Sequence, residues 1–225
     1  MGEISLRRRL EPSLKVEVYE VRLNEEFLMS SLFTAAEVAL AELGLAAVHG
    51  TDLQVVVGGL GLGYTARAVL ADARVGSLHV VEALDEVIEW HEHGLLPFAD
   101  DLVSDARCHL VGGDFFGIVA GGARFGADGP DRCDALLVDI DHTPRQLLHR
   151  SHAGFYTPDG LRRVADRLHT GGVFALWSDD PPDEGFLGVL EEVFATAEAH
   201  VVSFPNPLTH GESANTVYVA RRAGT

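Results

Sequence analysis

Cysteine is scarce in this chain. Cys108 and Cys133 are its only two, with no Cys-x-x-Cys and no metal-ligand spacing. Two unpatterned thiols fit structural residues in a reducing, cytoplasmic setting. No apolar run approaches the length needed to span a bilayer. Arg7-Arg8-Arg9 is followed by no apolar stretch of the kind a secretory signal requires. Basic residues number 17 against 34 acidic ones, and the net charge of −17 argues against nucleic acid and against an anionic membrane surface. The histidines lack metal spacing as well. His91 and His93 are two apart on an expected helix and so lie on different faces, while His142, His149 and His152 are spread along a loop. No metal is expected. Neither an internal repeat nor a low-complexity segment is present.

What the chain does have is one organising stretch, Val55-Val56-Val57-Gly58-Gly59-Leu60-Gly61-Leu62-Gly63-Tyr64-Thr65. Three β-branched residues form a buried strand, glycines turn the chain, and a helix follows from Thr65. Such a turn lets backbone N–H groups and a positive helix end approach a ligand closely. About 20 residues on, the apolar strand Leu78-His79-Val80-Val81 ends in Glu82, where a carboxylate can accept from ribose hydroxyls. The pair reads as a nucleoside-binding site.

Residues 4–23 are expected to form a β-hairpin or two short strands, turned at Glu11-Pro12-Ser13 and broken at Asn24-Glu25-Glu26. A helix over 34–47 follows, with Thr34 and Glu37 as a capping box. Strands are then expected at 53–57, 78–81, 107–111, 135–138 and 173–177. Helices are expected at 65–71, 84–93, 158–168 and 188–197, with an irregular stretch at 118–131. Strands at 200–204 and 216–220 close the chain without a helix between them, joined by a polar loop at 205–215 that is a candidate lid. The alternation implies a parallel sheet with right-handed crossovers, and the closing antiparallel pair fits a methyltransferase-type sheet. At 225 residues and 47% apolar content, the chain divides into a short amino-terminal β-extension, 1–27, and a Rossmann-like domain, 28–225.

Ligands of such sheets bind at the carboxyl ends of the strands. Those ends carry the glycine turn, Glu82, Asp114, Asp139 with Asp141, and Asp179 with Asp180. Crowded carboxylates repel one another, and a cation such as a sulfonium or a protonated amine relieves that repulsion.

Val55–Leu70, Val80–Ile88, Val111-Gly112-Gly113-Asp114-Phe115-Phe116, Asp134–Asp141 and Phe155–Leu168 with Gly171-Gly172 occur in an order and spacing that resembles the spermidine synthase (polyamine aminopropyltransferase) family. The resemblance implies a seven-stranded S-adenosylmethionine-dependent methyltransferase-type fold and a homodimer. It implies Gly58, Gly59, Gly61 and Gly63 close to a nucleoside donor, Glu82 with Ala83 at its ribose, and Asp114 with Phe115 at its adenine. By the resemblance Asp139 becomes the general base; from their own positions, Asp141 is expected to orient a cationic amine acceptor, and His142, Tyr156 and Asp179 to contact it. The donor is S-adenosylmethionine or its decarboxylated form. This chain departs from the family at Gly61, where an Asp is usual, and at Ala35-Ala36-Glu37, where a Tyr precedes the Glu.

Three other readings remain open. A methyltransferase of a small molecule, or a non-catalytic member that binds a nucleoside, keeps the same donor side. A nicotinamide enzyme fits Gly61-Leu62-Gly63-Tyr64-Thr65-Ala66 with Glu82, but leaves little chain for a substrate domain and no place for Asp114 and Asp139.

Overall fold

A computed structural model describes residues 3–24 and 26–224. Met1, Gly2, Glu25 and Thr225 lie outside the described residues, as does the part of the expected break that falls on Glu25.

The amino-terminal segment forms an antiparallel three-stranded sheet, β1 (Ile4–Glu11), β2 (Val16–Leu23) and β3 (Glu26–Ser30), in that order. The first two strands lie where the alternating pattern puts them. The third is an addition: Asn24 adopts φ +56°, and the chain turns back to pair along β2. Val21 of this sheet shares a small apolar cluster with Leu62, Leu96 and Ala99, and Leu28, Met29 and Tyr64 pack against that cluster. The extension therefore leans on the glycine turn itself.

Beyond it the chain alternates. In order come α1 (Ala35–Ala46), β4 (Leu53–Gly58), α2 (Tyr64–Ala71), β5 (Val75–Glu82), α3 (Asp85–Glu92), α4 (Ala99–Val103), β6 (Cys108–Gly112) and α5 (Phe115–Gly121). Then follow β7 (Cys133–Val138), α6 (Pro158–Asp166), β8 (Leu168–Ser178), α7 (Glu184–Val193), β9 (Thr196–Asn206) and β10 (Gly211–Arg221). Seven strands make one sheet in the order β6-β5-β4-β7-β8-β10-β9. β4 to β8 run parallel, and β10 is antiparallel to both β8 and β9.

Both faces are covered, which is why the inner strands read as unbroken apolar runs. Val55 and Val57 of β4 join Leu40, Ala66, Val69 and Val87 on one side, whereas Val56 joins Phe115, Leu161, Val164 and Leu190 on the other. Strand order reverses between β4 and β7, which leaves a crevice at their carboxyl ends. The glycine turn and Asp139 meet there.

Several boundaries differ from expectation for visible reasons. The last helix starts four residues earlier, because Asp183 caps it by accepting from the N–H groups of Gly185 and Phe186. Thr170-Gly171-Gly172 is a bulge within β8, and pairing with β7 jumps there from Cys133↔Leu168 to Ala135↔Val173. The 205–215 segment is mostly paired strand, from Gly211↔Asn206 to Asn215↔Val202. Its backbone bonds are committed to a ladder, so it is no loose lid. Thr34 caps nothing with its side chain, which leaves Glu37 free of the expected box.

Candidate active site at the carboxyl edge of the sheet

The glycine turn is held by its neighbours on both sides. Gly59 N–H donates to the Val81 carbonyl, and Asp139 N–H donates to the Gly58 carbonyl, each at 2.9 Å. Much of the space that the glycines leave is filled by the protein. A Cβ on Gly58 would press into the Phe115 ring, and one on Gly59 (φ +96°) would collide with the Asp139 carbonyl. At Gly61 (φ +47°) it would meet the thioether of Met29 at 2.6–2.7 Å, and at Gly63 (φ +87°) the His91 ring at 2.8 Å. These glycines allow a tightly packed turn as much as an open one.

Glu82 stands beside the turn, half-buried. One of its oxygens accepts from Leu60 N–H and the other from Leu84 N–H, both at 3.0 Å. A carboxylate has about four acceptor positions, so each oxygen keeps one for a ligand hydroxyl. Ala83, next along, is exposed. Asp114 is exposed at the end of the adjacent strand β6. The Phe115 ring is buried in the core among Phe116, Phe125 and Phe155. Only its backbone stands near the rim.

Asp139 faces Glu37 across a recess lined by Met29, Ser30, Leu60, Gly61, Leu62, Gly63 and Tyr64. The recess has barely a water's worth of space, about 10 Å³. Thr65 Oγ1 lies 2.8 Å from Asp139 Oδ2. Burial pushes the Asp139 carboxyl above the usual range, and the Thr65 bond opposes that rise. Glu37 is pushed up by burial first, then by the negative charges of Asp139 and Asp179. Two carboxyls in one desolvated corner, each disfavouring the other's charge, keep a proton into the neutral range. Such a pair can take a proton from a neutral-pH nucleophile.

The acceptor-side residues fall into two groups. Asp179 is exposed near the recess, with Oδ1 accepting from Asn215 at 2.6 Å and its N–H donating to the His142 carbonyl at 2.8 Å. Asp141 is turned inward with its side chain fully buried. It accepts from Leu148 N–H at 2.7 Å and Tyr156 Oη at 2.9 Å, and His152 Nδ1 lies at 2.8 Å. Asp141 and Tyr156 thus tie down the loop after β7 from inside.

Four contributors stand outside the site residues expected from the sequence: Met29, Glu37, Thr65 and His91. Met29 sits on the unforeseen strand β3. Glu37 reads as part of a capping box and as the Glu of the resembled family's entry helix, and Thr65 as the start of a helix. His91 reads as a helix histidine without metal spacing, and its Nε2 lies 3.0 Å from the Gly61 carbonyl. Among the described residues, no group of His, Cys, Asp and Glu is placed to hold a metal ion, and no helix is long and apolar enough to cross a membrane.

No family model matches the chain. Among curated proteins, Polyamine aminopropyltransferase 2 of Pseudomonas aeruginosa is 26% identical over 171 residues, which is 72% of this chain and 45% of the relative. The chain therefore spans less than half the length of that relative. Among solved structures, spermidine synthase from Thermotoga maritima superposes with a TM-score of 0.73 at 18% identity, over 98% of this chain and 70% of that one. Human methyltransferase-like protein 13, in complex with SAH, gives 0.55 at 20% identity, over 83% of this chain and 79% of that one. The fold they share with this chain is a seven-stranded methyltransferase-type sheet, and this chain carries a three-stranded amino-terminal sheet beside it. In sequence and in architecture, the chain is spermidine synthase-like.

Proposed function

We propose that this protein is a transferase that moves an aminopropyl or related alkyl group from an S-adenosylmethionine-type sulfonium donor to a small amine. The observation that carries the reading is the Glu37–Asp139 carboxyl pair at the switch point, directly beside the glycine turn. Support comes from the 26% identical aminopropyltransferase.

The residues present fit such a donor. Glu82 retains acceptor positions for ribose hydroxyls, Asp114 stands at the next strand end for the adenine, and the start of α2 backs the turn. Carboxylates around the recess favour a cationic sulfonium and a cationic amine. In the reaction the amine nitrogen must be neutral. Asp139 takes its proton, and the nitrogen attacks the carbon attached to sulfur. The C–S electron pair returns to sulfur, leaving a neutral thioether. Holding both reactants against one rim supplies the proximity term. Asp179 and His142 meet the acceptor's far end: Asp141 with Tyr156 fixes the loop after β7 that carries His142, and Asp179, at the end of β8, is joined to that loop through the His142 carbonyl. The reading includes a cytoplasmic protein, which two free thiols fit, and a homodimer, which rests on the family resemblance. It also takes residues 1–27 as a unit appended to the catalytic domain.

One observation favours a second reading, methyl transfer from intact S-adenosylmethionine. Position 61 is glycine, and the Met29 thioether occupies the room an acid would need there.

Product analysis decides between them. Purified protein is incubated with a diamine and either donor, and the products are identified by mass. An added aminopropyl unit, absent with Asp139→Asn, supports the main reading. Methylated product supports the second. No product with any amine at any pH contradicts both.

A further inference from the structure

We propose that His91 is a positioning residue for nucleoside binding: its imidazole clamps the Gly61 carbonyl and so fixes the shape of the turn that the donor meets. The inference rests on the donor reading above and extends it to a residue outside the recess.

The turn needs such a clamp. Gly61 and Gly63 both have positive φ, a conformation that glycine adopts at little cost and leaves as readily. His91 reaches in from α3, 30 residues downstream, and is 1% exposed. Its partner is a carbonyl, which only accepts, so Nε2 carries the proton. Nδ1 is enclosed without a partner. The ring is therefore the neutral Nε2–H tautomer. Gly63 provides the room, since a Cβ there would stand 2.8 Å from the ring's Cε1.

Protonation is opposed by the surroundings. A second N–H on Nδ1 would be a buried donor with no acceptor, attached to a buried charge. Burial accordingly holds the imidazole below its ordinary range, and the Gly61 carbonyl pulls the other way. No charged side chain joins in. The turn offers only backbone, and Leu102 of α4 shares the space over Gly63. Arg67 of α2 and Asp101 of α4 lie 3.6 Å from each other. Asp85, Glu86, Glu89 and Glu92 on α3, and His93 just after it, are exposed. Protonation at Nδ1 leaves the Nε2–H donor in place, so acid opens the clamp only because the charged ring, with its second N–H unpaired, must leave the enclosure to be solvated. This is separate from the carboxyl pair that handles the acceptor's proton.

Methylthioadenosine, an uncharged nucleoside, is the probe. Calorimetry at pH 7.5 and at a pH below the His91 midpoint, read from the imidazole nitrogen signals, compares the parent with His91→Gln and His91→Phe, and imidazole and amide nitrogen signals are followed on labelled parent. The parent's affinity falls about three- to tenfold in acid, the worth of one neutral hydrogen bond. His91→Gln, whose amide still donates, binds like the parent at pH 7.5 and shows no acid loss. His91→Phe is weaker by a similar factor at both pH values. The Gly61 and Gly63 amides titrate with the His91 midpoint. Equal acid loss in the parent and His91→Gln overturns the proposal, and so does an Nδ1–H tautomer with unresponsive glycine amides. If methylthioadenosine binds at no pH, the donor reading fails along with the binding role, and the glycine amides alone decide whether His91 clamps the turn.

Discussion

The hydroxyl of Thr65, in the first turn of α2, stands 2.8 Å from Oδ2 of Asp139, 74 residues away at the end of β7. It is the one side-chain hydrogen bond that lowers the Asp139 carboxyl against the rise caused by burial. Thr65→Val removes the donor at nearly constant shape. Turnover is expected to fall about tenfold, within the worth of a hydrogen bond to a charged group, and the acid limb of the pH profile to move to higher pH. Thr65→Ser restores both. Unchanged profiles would remove Thr65 from the account.

The carboxyl pair also sets a pH dependence of stability. Glu37 and Asp139 are pushed up to about 8 and about 6 in the fold, above their ordinary range. The folded state then binds more protons than the unfolded one, so this contribution is fully present below the unfolded pKa values near 4. It is lost as pH rises through the folded ones. Glu37→Gln is expected to raise Tm at pH 8 by a few degrees, at roughly 2–4 °C per kcal/mol of relieved repulsion, and to leave Tm at pH 4.5 close to the parent's. Thermal melts at the two pH values check this. A lower Tm at pH 8 would contradict it.

Two glycines should respond oppositely to alanine. At Gly59 a Cβ collides with backbone, the Asp139 carbonyl, at φ +96°, so nothing flexible can yield. Gly59→Ala is expected to cost upwards of about 2 kcal/mol, as strained positions do. Gly188 lies exposed inside α7 with nothing within 4 Å of an added Cβ. Gly188→Ala should stabilise by about 0.5–1 kcal/mol through helix propensity. Urea titrations of both variants test the contrast.

Much of the sheet is legible in the sequence because its inner strands are buried on both faces. Val55–Val57, Ala135–Val138 and Val173–Leu176 are short apolar runs that only a covered sheet accommodates. Short-range turn chemistry is harder to read. Strand β3 depends on Asn24 adopting positive φ, and the start of α7 depends on Asp183 capping across a proline-rich stretch. At the site, the residues that end strands are visible because their position follows from the alternation. Thr65, His91 and Met29 are not, since each acts on a partner far away in sequence. Asp141 reads as a rim acid like Asp139, yet Leu148, His152 and Tyr156 downstream supply donors that turn it inward.

Binding and chemistry should separate between two acids. Glu82 supports the turn through Leu60 and Leu84, so Glu82→Ala is expected to weaken nucleoside affinity about tenfold or more while leaving Asp139 in place. Asp139→Asn is expected to abolish turnover and spare nucleoside affinity. Similar losses of affinity in both variants would mean that the two carboxylates do not divide the work.

The central claim is that the turn at 58–63 seats the nucleoside of a sulfonium donor, and calorimetric titration tests it most directly. The protein is titrated with S-adenosylmethionine, decarboxylated S-adenosylmethionine, methylthioadenosine and NAD. The account predicts that the sulfonium nucleosides and methylthioadenosine bind and that NAD does not. Binding of NAD alone, or of none of the four, would contradict it.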